Sequence, residues 1–167
     1  NADIVLLPMT LRLNGKEYRC YSEDIDVEKM SKEFYSAMKG GAKPQTSLAS
    51  PGLFEEKAKE EIAKGNEVLY VTLSSGISGT FNAATLIAKE LNQKEGKEVV
   101  HVLDSKTAGL GEGMIALYAA NLAKEGFSLE EIVSKTEKYR QTVRSEFTVD
   151  SIRYLANSGR VSNVAAI

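Results

Sequence analysis

The residues that could do chemistry in this chain are mostly hydroxyls and glycines, gathered in Thr46-Ser47 and in Ser74-Ser75-Gly76-Ile77-Ser78-Gly79-Thr80. A serine between glycines could be a nucleophile. The nucleophile elbow, however, needs Gly-x-Ser-x-Gly, and here the second glycine comes one place early. A serine nucleophile also wants a histidine base, and the single His101 falls inside an apolar strand pattern. A hydrolase-like enzyme using Ser78 is therefore the alternative reading. No Gly-Lys-Ser/Thr follows the glycines, so a phosphate loop is disfavoured. No spaced set of His, Cys and carboxylate suggests a metal, and no cofactor is implied. Asp104 is a lone acid in a polar loop, and Cys20 reads as a small buried thiol. What remains is binding: hydroxyls of Thr46 and Ser78, with backbone N–H groups near Gly79, converging on an anion. Each has a plainer reading beside it. Ser78 could be only the N-cap of the next helix, and Thr46 and Ser47 could only stabilise a turn.

The elements that must position these groups follow from the patterning. Val68–Leu73 is a continuous β-branched and apolar run, as expected for a strand buried on both faces of a parallel sheet. It delivers the Ser74–Thr80 turn to the edge where ligands sit in open α/β sheets. The turn leads into a helix from Gly79 to about Leu91. Lys97–Leu103 is a second buried strand, ending in Asp104-Ser105-Lys106-Thr107, and Glu146–Val149 reads as a third. Alternation of these strands with helices predicts βαβ crossovers and a three-layer α/β/α domain.

Upstream, residues 4 to 20 read as a β-hairpin around Asn14-Gly15, bent at Pro8. Asp26 caps a helix from Val27 to about Met38, with Met30, Phe34, Ala37 and Met38 facing the core. Lys43–Pro51 lacks helical periodicity, and Ser50-Pro51 opens a helix that stops at Gly65. Ala108–Ala123 is apolar or small almost all round, which fits either a central core helix or the wall of a lipid tunnel. Ser128 and Glu131 form a capping box for a helix reaching about Arg144, and Asp150 caps Ser151–Asn157.

The 167 residues suit one main domain. A net charge of −2 without a Lys/Arg cluster disfavours nucleic acid as a partner. No apolar run approaches the roughly 18 residues of a membrane-spanning helix, no signal-peptide pattern opens the chain, and cytoplasm is the expected compartment. The start at Asn1 and the stop after Val164-Ala165-Ala166-Ile167 lead us to expect that both ends are cut.

Four stretches together resemble the DegV family: Pro44–Pro51, Leu73–Ala84, Val102–Ser105 and Ile152–Ser162, the last containing Ser158-Gly159-Arg160-Val161-Ser162. Proteins of that family are similar to the fatty-acid-binding subunit of the bacterial fatty-acid kinase. The resemblance implies a long-chain fatty acid whose carboxylate is held by Thr46 and Ser78, with the Gly79 backbone a further donor. It also implies a separate kinase subunit that phosphorylates the bound acid, so that the chain itself is not an enzyme. Ser47 and Arg160 become candidate contacts to the head group or the kinase. The family opens with a strand and an Asp-Ser-Thr turn upstream of Asn1 and continues into a second domain. Residues 1–150 are accordingly expected to form the head-group domain, and 151–167 the start of a lid domain.

Overall fold

A computed structural model describes residues 4–20, 25–149, 151–152, 155–156 and 159–161. Strand β1 (Met9–Leu13) pairs antiparallel with β2 (Lys16–Arg19). The link is Asn14-Gly15, with φ of 50° and 76°, the paired left-handed conformation that a tight two-residue hairpin turn requires. The expected hairpin is thus present, though residues 4–8 precede the strand. Helix α1 (Val27–Lys39) is capped by Asp26, which accepts from the Lys29 N–H at 3.0 Å. Met30, Phe34, Ala37 and Met38 form its half-buried side, and no α1 residue is fully buried.

Gln45–Ala49 is strand β3, where the sequence suggested only an irregular stretch. It pairs antiparallel with β1, placing Ala49 opposite Met9 and Thr46 opposite Leu11 across an irregularity. Its conformation comes from that non-local partner, since Gln-Thr-Ser carries no apolar alternation of its own. Helix α2 (Pro51–Ala63) follows, its Ser50 cap accepting from the Leu53 N–H at 3.3 Å.

The ligand-edge half of the molecule is built on β4 (Val68–Thr72) and β5 (Val100–Asp104), which pair in parallel from Val68 with Val100 to Thr72 with Asp104. Val68, Tyr70, Val100 and Val102 pack with Phe54 and Ala58 of α2 and with Ala84, Ala88 and Leu91 of α3 (Thr80–Glu95). Phe54 stacks on Tyr70 with ring centroids 4.4 Å apart. Leu69 instead packs with Ala119 and Leu122 of α4 (Leu110–Lys124) and Ile132 of α5 (Leu129–Arg140). Successive strand residues point to opposite faces, so β4 is covered on both, as the continuous apolar run requires. This is the expected three-layer α/β/α arrangement.

Three expectations need correction. No strand is found at Glu146–Val149, and Phe147 and Val149 are exposed; β-branched and aromatic residues do not make a strand without an edge to pair with. Helix α5 has the capping box of Ser128 and Glu131 but ends at Arg140 instead of Arg144. Helix α4 is not the fully enclosed core helix of the first alternative: Gly111, Ile115, Ala119 and Leu122 are buried, whereas Leu110 is 89% exposed and Met114 and Leu117 also face outward, an apolar side that the tunnel-wall alternative accommodates. The helix expected at Ser151–Asn157, its Asp150 cap, and Ser158 and Ser162 of the quoted motif fall largely outside the described residues.

Candidate functional site

Because Thr72 and Asp104 are register partners, the turn after β4 and the loop after β5 leave the sheet at the same edge. Backbone bonds sew them together. The Ser105 N–H donates to the Thr72 carbonyl at 3.1 Å and the Ser74 N–H to the Thr107 carbonyl at 2.9 Å. The turn then closes on itself as Ile77 and Ser78 donate their N–H groups to the Ser74 carbonyl at 3.1 and 3.0 Å. Gly79 is the N-cap of α3 and brings no capping side chain. Ser78, one place earlier, partly supplies what is missing: its Oγ accepts from the Thr80 N–H at 3.2 Å and shares a second hydrogen bond with Thr80 Oγ1 at 2.9 Å. The structural reading of Ser78 thus holds in part, with the cap residue shifted by one. The leading amides of an α-helix lack intrahelical acceptors and carry its positive end, so this corner suits an anion.

Strand β3 meets the turn through Leu48. A Cβ placed on Gly79 would stand 3.7 and 3.8 Å from the two δ-carbons of Leu48, so turn and strand are in contact there. Thr46 lies two residues back on the same strand; Ala49 pairs with Met9 and Thr46 with Leu11, so β3 carries an extra residue between them and simple alternation of faces does not carry from Leu48 to Thr46. The Thr46 side chain is exposed and makes no hydrogen bond among the described residues. The Ser47 hydroxyl donates to the Leu48 carbonyl at 3.2 Å. The fold therefore sets β3, the strand that carries Thr46 and Ser47, against the turn of Ser78 and Gly79 through Leu48. Arg160 arrives at the same corner from the far end of the chain, its Nε donating to the Ile77 carbonyl at 3.4 Å.

Beside the corner lies a charged group that sequence reasoning noticed only as a lone acid. Asp104 is 4% exposed; its Oδ1 accepts from the Ser75 N–H at 3.1 Å and the Lys106 N–H at 3.0 Å. Its Oδ2 has the Lys106 ammonium 2.6 Å away as an ion-pair partner and takes no further hydrogen bond. Burial pushes the Asp104 carboxyl up, but the hydrogen bonds from Lys106 and Ser75 outweigh it and hold the pKa down at about 2. Lys106 also donates to Ser75 Oγ at 3.3 Å, and Arg140 Nη1 donates to the Asp104 carbonyl at 2.8 Å. Arg140 carried no sequence signal, because it reaches the site by tertiary contact. The adjacency of an acid and a lysine after a strand was the one available hint.

His101 is occupied elsewhere, with Nδ1 2.7 Å from Glu98 Oε1, as expected of a satisfied strand residue. Among the described residues no base stands against Ser78, whose hydrogen bonds run to Thr80, which disfavours the nucleophile reading. A shallow hollow lined by Val27, Ser31 and Tyr35 runs along α1, apart from all of these groups.

Residues 1–167 match the family model described as "Uncharacterised protein, DegV family". A DegV domain-containing protein of Clostridium perfringens is 34% identical over 164 residues, which cover 98% of this chain and 55% of that protein. The fatty-acid-binding DegV family protein of Thermus thermophilus superposes with a TM-score of 0.77 at 32% identity, covering 96% of this chain and 54% of its own. A DegV family protein of Eubacterium eligens loaded with heptadecanoic acid gives 0.78 at 26% identity, covering 96% and 55%. The chain thus spans about half the length of the relatives it matches. With the whole of its length matched by the family model and a third of its residues shared with a curated relative, the chain belongs to the DegV family.

Proposed function

We propose that this chain is the head-group half of a carrier that binds a long-chain fatty acid and presents its carboxylate to a separate kinase subunit for phosphorylation. Thr46 and Ser78 donate their hydroxyls and Gly79 its backbone N–H to the carboxylate. Arg160 and Ser47 meet the head group or the kinase. The observation that supports this reading is the turn after β4, whose Ser78 hydroxyl and leading α3 amides lie at the carboxyl edge of the parallel strands, with strand β3 against it through Leu48. It is supported by the heptadecanoic acid held by the Eubacterium eligens relative. Residues 1–150 serve as the head-group domain and 151–167 begin a second, covering unit, in a cytoplasmic protein that does no bond-making itself.

Magnitudes divide the labour. Burying a methylene is worth about 0.8 kcal/mol, so a tail of about sixteen carbons offers on the order of 12 kcal/mol before ordering costs. A charge-assisted hydrogen bond nets about 1.5–3 kcal/mol. The tail supplies affinity and the corner orients the acid. The test is the Thr46→Ala, Ser78→Ala double variant of the full-length gene product, with lipid content read by mass spectrometry of the denatured protein. Lipid should still be recovered while phosphotransfer by the cognate kinase drops by more than about tenfold. Undiminished phosphotransfer would remove both residues from the mechanism, and wild-type protein that neither retains nor takes up fatty acid would end the carrier reading.

A further inference from the structure

One buried side chain clamps the loops that leave β4 and β5. Asp104 receives the Ser75 N–H from one loop and the Lys106 N–H from the other on a single oxygen. Ser75 is the second residue of the turn that ends in Ser78 and Gly79, so this bond fixes the start of the head-group corner. Lys106 adopts φ of +58°, a left-handed conformation unusual for a residue with a side chain. In that loop its ammonium reaches both Asp104 Oδ2, at 2.6 Å, and Ser75 Oγ, at 3.3 Å. Arg140 adds a second cation from α5, bonded to the Asp104 carbonyl.

A clamp of this kind poses an electrostatic problem beside an anion site. An uncompensated carboxylate would repel a ligand carboxylate and push up the pKa of one of the pair. From this geometry we propose that Asp104 is a positioning residue for the Ser74–Gly79 head-group turn, and that Lys106 neutralises it so that the turn can accept an acid. The proposal rests on the fatty-acid reading and adds to it the residues that set selectivity for the ionised head. Glutamate would not substitute for Asp104, since its longer side chain cannot keep both short backbone bonds while remaining in this buried place.

The experiment compares binding of palmitic acid and hexadecan-1-ol, which share a tail and differ at the head, to the full-length gene product at pH 8. The wild type should prefer the acid. Asp104→Ala should cut that preference by about tenfold or more while alcohol affinity changes by less than about threefold. Lys106→Met, at a mostly exposed side chain, should weaken acid binding by about fivefold and leave the alcohol alone. Adding Asp104→Asn to Lys106→Met should restore acid affinity to within about twofold of the wild type, because the unmasked charge is gone and the amide oxygen still accepts from Ser75. A purely structural role would give no such rescue. Wild-type preference in Asp104→Ala, or a Lys106→Met defect that Asp104→Asn fails to relieve, overturns the proposal alone. A wild-type protein that binds acid and alcohol equally overturns the carboxylate reading and this proposal together.

Discussion

The carboxyl of Asp104 should make the protein's stability fall in acid in a way that one substitution reveals. Its pKa is held at about 2, against an ordinary 3.8, by the hydrogen bonds from Lys106 and Ser75 acting against burial. A side chain only 4% exposed is little screened by solvent, so the depression converts to about 2 kcal/mol of stability at neutral pH. The folded protein binds this proton more weakly than the unfolded chain. Between about pH 4 and pH 2 the unfolded state therefore takes up the extra proton, and stability drops as the pH falls. Asp104→Asn keeps an acceptor for the two backbone N–H groups and cannot ionise, so it approximates the protonated form. Urea denaturation of wild type and Asp104→Asn at a series of pH values should show the wild type more stable by about 2 kcal/mol at pH 7, a gap that is halved near pH 3 and nearly closed at pH 2. A gap that stays constant from pH 7 to pH 2 would mean that Asp104 is not held in this network.

Two further substitutions test the frame around the site. Asn92 of α3 accepts the N–H groups of Val99 and Val100 on Oδ1, both at 2.9 Å, and donates Nδ2 to the Val100 carbonyl at 2.8 Å. Asn92→Ala would leave buried peptide groups at the entry to β5 unpaired and should cost about 2–3 kcal/mol by chemical denaturation, whereas a loss below about 0.5 kcal/mol would show that water replaces the clasp easily. At Gly111, in the first turn of α4, a Cβ would lie 2.3 Å from Thr107 Oγ1 and 2.8 Å from Ser145 Oγ. Gly111→Ala should therefore destabilise by about 1–3 kcal/mol despite alanine's better helix propensity, and a rise in melting temperature would refute the close packing.

The elements whose signals are local were legible in the residues themselves. Caps at Asp26, Ser50 and Ser128 start their helices where the side chains can reach the first-turn amides, and Asn14-Gly15 makes its hairpin turn without help from elsewhere. Features that depend on a partner were not. Strand β3 exists because β1 lies beside it, whereas the 146–149 stretch has strand-forming residues but pairs with no strand among the described residues. Helix α4 shows the same dependence. Its lack of a polar face announced burial, yet only the side carrying Gly111, Ile115 and Ala119 meets the sheet and α5, and composition cannot say which side has a neighbour.

The hydrogen bonds at the turn after β4 show why residue types alone leave Ser78 with competing roles. A serine hydroxyl has one proton to give and two lone pairs to receive. Ser78 Oγ receives the Thr80 N–H, which is a cap's work, and its second bond to Thr80 Oγ1 leaves the donor free to be either hydroxyl. When Thr80 gives its proton to Ser78, both lone pairs of Ser78 are filled and its own O–H has nowhere to point but outward. In the proposed carrier, capping in this direction would leave the Ser78 proton for a carboxylate, so the plain and the functional readings do not exclude one another. Thr80 is buried beneath the turn, which keeps it from being drawn off by solvent. In the proposed carrier the cap and the ligand contact coexist when Thr80 is the donor of the hydrogen bond it shares with Ser78, a choice open to either hydroxyl, which is why local sequence sets the two readings side by side.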